Sequence, residues 1–301
     1  MPSYPRKILH TPAPHKLYAE LIGDTSDQAC VFIPGGYHTG VCYLQTPDGR
    51  AGWAELAASY GITGITTDMP GTGRSGAVPF TSITSLFIVD AYEQLILSLP
   101  HEVTLFVHSL SGFIGFLLAE RLPRKIKRIV AIEPSLIANV QDALEPDHEQ
   151  ETSVDVTYRN ASFSLNMSAY GTPSPHTFAR FTMKSYVDHL FPSDETSLQA
   201  YEASLQAQHP RLMYELFHVH GSKPALQHPN MLKDTRILII TTQDPLHIAD
   251  DHKIVSFLQQ HGISVEHWKD GAHGTERNGH MLMIEKNNHA LFKEIVQWIK
   301  Q

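Results

Sequence analysis

Residues 101–115, His-Glu-Val-Thr-Leu-Phe-Val-His-Ser-Leu-Ser-Gly-Phe-Ile-Gly, leave room for few folds. The apolar run Val103–Val107 reads as a strand buried on both faces. A helical pattern begins almost at once in Phe113–Ala119. Only a sharp turn can join the two, and Ser109 stands in it. A strand–serine–helix junction projects the hydroxyl above the edge of a sheet. There the positive end of the helix favours developing negative charge. The usual pattern is Gly-x-Ser-x-Gly, whereas Val107 and Ser111 hold the two outer positions here and Gly112 follows directly. From this stretch alone, an ordinary strand-to-helix turn carrying two serines reads equally well.

The rest of the chain supplies the context. Strand patterns are expected in His15–Ile22, Ala29–Pro34, Ile62–Asp68, Ile126–Ile132, Thr235–Thr242 and Ser264–Trp268. Helical spacing is expected in Trp53–Tyr60, Ser82–Leu99, Ala249–His261 and Asn287–Lys300. Regular alternation implies an α/β fold: a mostly parallel, doubly wound sheet with helices on both faces. From about Ser135 to Asp234 the rhythm fails, with polar sequence and helical patches near Thr177–Leu190 and Ser197–Phe217. The expected organisation is a core of residues 1–134 and 235–301 with a mainly helical cap, residues 135–234, inserted above the sheet.

The formal net charge of −8 argues against nucleic acid or an anionic membrane as the main partner. No apolar run reaches the length of a bilayer-spanning helix. The N-terminal residues lack the apolar segment of a secretory signal, so the expected location is the cytoplasm, with a processed secreted form also open. Cys30 and Cys42 are the two cysteines; Cys30 falls in a strand pattern, which favours a small buried hydrophobe over a disulfide. No Cys/His grouping has zinc-site spacing, so neither a metal nor a cofactor is expected. A homodimer is one open arrangement that the sequence does not choose.

A serine at such a junction needs a base, and the base needs an acid to hold its tautomer. In a doubly wound sheet these groups come from loops at the carboxyl ends of strands. His280 precedes the last helix and is the candidate base, with His273 the nearby alternative. Glu133 and Asp244 each end an apolar strand and precede proline, and position on the sheet does not separate them as the acid. Oxyanion donors are expected from the backbone N–H of Leu110 and from the Gly35-Gly36-Tyr37 loop, where Gly36 is favoured. Gly35, Tyr37 and His38 are pocket candidates, as is Cys42, with a purely structural role weighing equally for each. Gly71-Thr-Gly-Arg-Ser-Gly76 lacks the lysine of a phosphate-binding loop and reads as a turn-rich loop near the same edge.

Asp68-Met-Pro-Gly-Thr-Gly-Arg-Ser75, Val107-His-Ser-Leu-Ser-Gly112 and Gly279-His280 together resemble an α/β-hydrolase across nearly the whole chain. The stretches Gly35–Trp53 and Asn278–Asn288 are similar to the esterase 713-like branch of that superfamily. That branch carries its acid after the strand following the elbow helix, in an Asp/Glu-Pro context. The resemblance therefore implies Glu133 as acid ahead of Asp244, Ser109 as nucleophile, His280 as base, and Gly36 and Leu110 as oxyanion donors. The chain departs from the superfamily pattern at Val107 and Ser111, and has Pro34-Gly35 where a His-Gly is usual.

The expected activity is cleavage of a carboxylic ester or lactone through an acyl-enzyme, on a small-molecule ester-like substrate. Two other readings stay open. The fold also serves lyases and cofactor-free dioxygenases, and replacement of both elbow glycines suits a small-ligand binding protein with a weakly active triad.

Overall fold

In the computed structural model, the described residues are 4–24, 26–158, 161–168, 194–242, 250–269, 271–275 and 278–301. Five strands form the parallel centre of the sheet: β3 (Ala29–Ile33), β4 (Thr63–Asp68), β5 (Val103–His108), β6 (Ile126–Ile132) and β10 (Arg236–Ile240). β11 (Val265–Trp268) extends it in parallel at one end. At the other end β2 (Tyr18–Ile22) runs antiparallel to β4, and β1 (Arg6–His10) antiparallel to β2. The order across the sheet is β1-β2-β4-β3-β5-β6-β10-β11. Val31 pairs with Ile65 on one side and Leu105 on the other; Leu105 pairs with Ile129, and Ile129 with Ile237. Every residue of β4 and β5 is buried, as befits central strands of a sheet covered on both faces.

Strand alternation sends neighbouring side chains to opposite faces. On one face Phe106 meets Trp53 of α2 (Trp53–Ser59) and Phe292 of α8 (Asn288–Lys300), each with ring centroids 6.0 Å away. Phe32 stacks beside Phe106 at 4.6 Å. On the other face Val107 packs against α4 (Ser111–Arg121), which lies beside α3 (Ser85–Ser98). β1 has no apolar run to announce it, and most of it is exposed. Its Arg6 reaches Glu20 at 2.5 Å and also pairs with Glu55, so a charged edge strand is tied to its neighbours.

Between β6 and β10 the described residues carry strands as well as the expected helices. β7 (His148–Gln150), β8 (Ser153–Tyr158) and β9 (Ala161–Asn166) form a separate antiparallel sheet. Its alternation is short and diluted by polar residues: Val154 and Val156 are buried while Asp155 between them and Thr157 after them are not. The helical reading of Ser197–Phe217 resolves into α5 (Glu195–Ser204) and α6 (Pro210–Leu216). Thr177–Leu190 lies outside the described residues. The predicted helix Ala249–His261 is α7 (Asp251–Gln260), with Ala249 outside the described residues. Cys30 and Cys42 are free and buried.

Candidate active site

Ser109 is the one residue between Val103 and Ala119 that is not buried. It follows β5 directly and has φ 51°, a left-handed conformation that non-glycine residues adopt rarely and at a cost. Three hydrogen bonds fix it there. Its N–H donates to Ile132 O at 3.0 Å, and its carbonyl accepts from Gly112 N at 2.8 Å and Ser135 N at 2.9 Å. Ser111 Oγ accepts from the His108 N–H at 2.8 Å and lies 3.0 Å from the carbonyl of Ile33, so a small polar residue fits where a glycine is usual. Added Cβ atoms explain the glycines that remain. One on Gly112 would come 2.6 Å from Pro134 Cβ, and one on Gly115 would come 2.5 Å from Val107 Cγ1. The close approach of helix and strand is kept, with its glycines moved down the helix.

Glu133 follows β6 in the same way. It is fully buried, has φ 44°, and donates its N–H to Ile240 O at 2.9 Å. Its Oε1 accepts from the Thr242 N–H at the end of β10. Ser109 and Glu133 thus occupy corresponding strained positions at the carboxyl ends of adjacent strands. Asp244 lies outside the described residues.

His280 reaches this edge through its own loop. Its carbonyl lies 2.9 Å from Nε2 of His108, the residue before Ser109, and the two rings are 4.6 Å apart. Burial, and secondarily the facing His38, push its pKa down to about 3, so the ring is neutral and able to accept a proton. Glu285 holds the loop from below. Buried, it accepts from the Gly279 N–H at 2.8 Å and from the Asn278 side chain, and burial pushes its pKa up to about 7. His273, the alternative base, instead stacks on Trp268 at 3.9 Å with 40% of its side chain exposed.

The loop after β3 faces the elbow. A Cβ on Gly35 would come 2.5 Å from His108 Nδ1, whereas one on Gly36 would meet Leu110 Cδ1 at 3.5 Å, an ordinary contact. Among the described residues, the N–H groups of Gly36 and Leu110 make no internal hydrogen bond. Tyr37 has φ 64°. His38 is buried with Nδ1 2.6 Å from Gly36 O, and burial pushes its pKa down to about 4. Burial pushes the thiol of Cys42 well up and that of Cys30 to about 12, so both stay protonated.

The Gly71–Gly76 loop closes around Asp68, at the end of β4. Arg74 grips this buried carboxylate through Nε at 2.9 Å and Nη2 at 3.0 Å, and the Gly40 N–H donates to it at 2.9 Å. The loop therefore braces the neighbouring turn. Among the described residues no group of three or more His, Cys, Asp or Glu is placed to hold a metal ion. No helix among them is long and apolar enough to cross a membrane.

A family model for the alpha/beta hydrolase family matches residues 30–294. The chain belongs to that family. A probable secreted lipase, phiG, from a fungal species is similar in sequence, 23% identical over 92% of this chain and 83% of the relative. Solved structures share the fold at lower identity. The N-acyl homoserine lactonase AidH is 16% identical with a TM-score of 0.62, covering 99% of this chain and 97% of its own. The haloalkane dehalogenase DatA of Agrobacterium tumefaciens is 15% identical with a TM-score of 0.59, covering 98% and 96%. The resemblance to an α/β-hydrolase read from the motifs is thus met at the level of the family.

Several residues at the site of this alpha/beta hydrolase carry no signal in the linear sequence. Gly115 lies inside a helix, and Gln208 and Tyr201 lie in the polar segment. Glu285 lies in the stretch Asn278–Asn288 with no pattern to single it out; its contacts with the Gly279 N–H and the Asn278 side chain give it a task.

Proposed function

We propose that this alpha/beta hydrolase cleaves carboxylic esters or lactones through an acyl-enzyme on Ser109. The observation that carries the reading is Ser109 itself: partly exposed, backbone-strained, and set before the first turn of α4. Its oxygen attacks the substrate carbonyl while His280 takes the proton. The N–H groups of Gly36 and Leu110 stabilise the oxyanion, and Glu133 holds the imidazole and offsets its charge. The tetrahedral intermediate expels the alcohol, which receives the proton from His280. Water, deprotonated by His280, then attacks the acyl-enzyme and releases the acid. The names of the fungal lipase and of the lactonase support an ester or lactone substrate.

In this reading residues 135–234 form a cap over the site and shape the acyl and alcohol pockets. The protein is placed in the cytoplasm; the fungal relative is described as secreted, and fractionation of producing cells separates the two locations. The functional test is turnover of p-nitrophenyl esters and labelling by a fluorophosphonate, with Ser109→Ala as control. Loss of both in the variant is expected, and wild-type turnover in Ser109→Ala sinks the proposal.

A further inference from the structure

The loop after β3 is fastened by side chains and backbone from a segment more than 160 residues away in sequence. Tyr37 N–H donates to Gln208 Oε1 at 2.7 Å, and the Gln206 N–H donates to Tyr37 O at 2.9 Å. His38 Nδ1 lies 2.6 Å from Gly36 O, and its Nε2 lies 2.9 Å from the Tyr201 hydroxyl. A carbonyl only accepts, so Nδ1 carries the proton and Nε2 accepts from the Tyr201 O–H. The segment is anchored in turn, because His209 Nε2 lies 2.9 Å from Pro70 O and its ring packs 4.6 Å from Phe80. Tyr201, Gln208 and His209 are all buried.

These contacts converge on one rigid unit. The carbonyl of Gly36 and the N–H of Tyr37 belong to the same planar peptide, and both of its polar ends are held, one by His38 and one by Gln208. Fixing that plane restricts the rotation that aims the preceding N–H, that of Gly36. It also commits the Tyr37 N–H elsewhere, which leaves Gly36 as the donor this turn presents to the elbow. Tyr37 holds a left-handed conformation that persists only where its surroundings over-determine it.

We infer that residues 201–209 complete the oxyanion hole, with Gln208 and Tyr201 as positioning residues for the Gly36–Tyr37 peptide. This rests on the acyl-transfer reading centred on Ser109. The polar segment then does more than cover the site: its docking sets whether the Gly36 N–H points at the developing oxyanion.

The test compares two inhibitors with the same alkyl chain. A trifluoromethyl ketone forms a tetrahedral adduct with an activated serine and uses the oxyanion hole, whereas the matching methyl ketone stays trigonal. Removing one oxyanion donor costs on the order of 10²-fold or more. Gln208→Met removes the acceptor at nearly constant volume. It should weaken the trifluoromethyl ketone by about 10²-fold, leave the methyl ketone within about threefold, and lower kcat with KM little changed. Gln208→Glu keeps a carbonyl-type acceptor and should restore most of the preference. Tyr201→Phe, which removes one hydroxyl, should reduce the preference in the same sense by about tenfold, and it carries the test if Gln208→Met does not fold. An unchanged inhibitor ratio in the folded variants overturns the inference. If the wild-type enzyme itself shows no preference for the trifluoromethyl ketone, or Ser109→Ala still turns over ester, the acyl-transfer reading has failed first.

Discussion

Val107 fills the space that a side chain on Gly115 would need, with Cγ1 only 2.5 Å from where a Cβ would sit. A glycine inside a helix costs about 1 kcal/mol relative to alanine, so its presence in α4 has to be repaid by packing. The repayment is the close approach of strand and helix that carries Ser109. Gly115→Ala should therefore destabilise the fold by about 1–3 kcal/mol despite the better helix propensity. Val107→Ala in the same chain should recover part of the loss, with a coupling of about 0.5–3 kcal/mol. Urea denaturation of the four-member cycle measures this, and a Gly115→Ala variant as stable as wild type would refute the account.

Glu133 is buried in a strained turn one strand away from Ser109. Replacing it with glutamine keeps an acceptor for the Thr242 N–H but removes the charge that, in the proposed mechanism, holds the imidazolium of His280. Turnover of a p-nitrophenyl ester should fall by about 10⁴-fold in Glu133→Gln, with folding retained. Loss confined to Asp244→Asn would move the acid to that position.

Arg74 neutralises Asp68, whose side chain is 1% exposed. Removing one partner of a buried ion pair leaves an uncompensated charge, at about 3–5 kcal/mol. Because the Arg74 side chain is 33% exposed and its partner keeps two backbone donors, about 2–3 kcal/mol is expected for Arg74→Met. Adding Asp68→Asn should give a double variant less damaged than the sum of the two singles. Additive losses would mean that the pair is not coupled.

Gly35 and Gly36 should separate in a denaturation experiment. Gly35→Ala places a Cβ against the His108 ring and, at 3.1 Å, against its carbonyl, so a loss of about 1–3 kcal/mol is expected. Gly36→Ala meets only ordinary contacts at 3.5 Å or more, and should leave stability within about 1 kcal/mol of wild type. Equal losses at the two positions would show that the turn itself requires both glycines.

Acid should unfold the protein before it titrates His280. His38 and His209 are pushed down to about 4 by burial, and His280 to about 3. Their unfolded-state pKa is near 6.5, so the unfolded chain binds their protons first, and the stability they contribute is lost as pH falls below about 6.5. Glu285 opposes this. Its folded pKa of about 7 exceeds its unfolded value, so it contributes stability below about 4.5 that fades as pH rises through 7. At pH 5 the unfolded chain takes up about two more protons on balance from these four groups, a loss of roughly 3 kcal/mol per pH unit. Denaturation midpoints between pH 7 and pH 5 test this. A flat profile would contradict it, as would loss of activity while the protein remains folded.

The sequence by itself determined the alternation of strands and helices, the sheet edge to which the candidate residues Ser109 and Glu133 belong, and the sharp strand-to-helix junction that sets Ser109 there. These follow from local causes: apolar period, turn residues and the abruptness of one strand-to-helix junction. The tertiary structure alone decided which glycine accommodates Val107, where the charged edge strand and the antiparallel sheet within the polar segment lie, and that Gln208 grips the Tyr37 peptide. Gln208 and Tyr37 stand 171 residues apart, and neither has a neighbour pattern that announces the other. Periodicity encodes which face of an element is buried; it carries no record of the partner across the gap, because packing between distant elements is chosen by shape and hydrogen bonding after those elements exist.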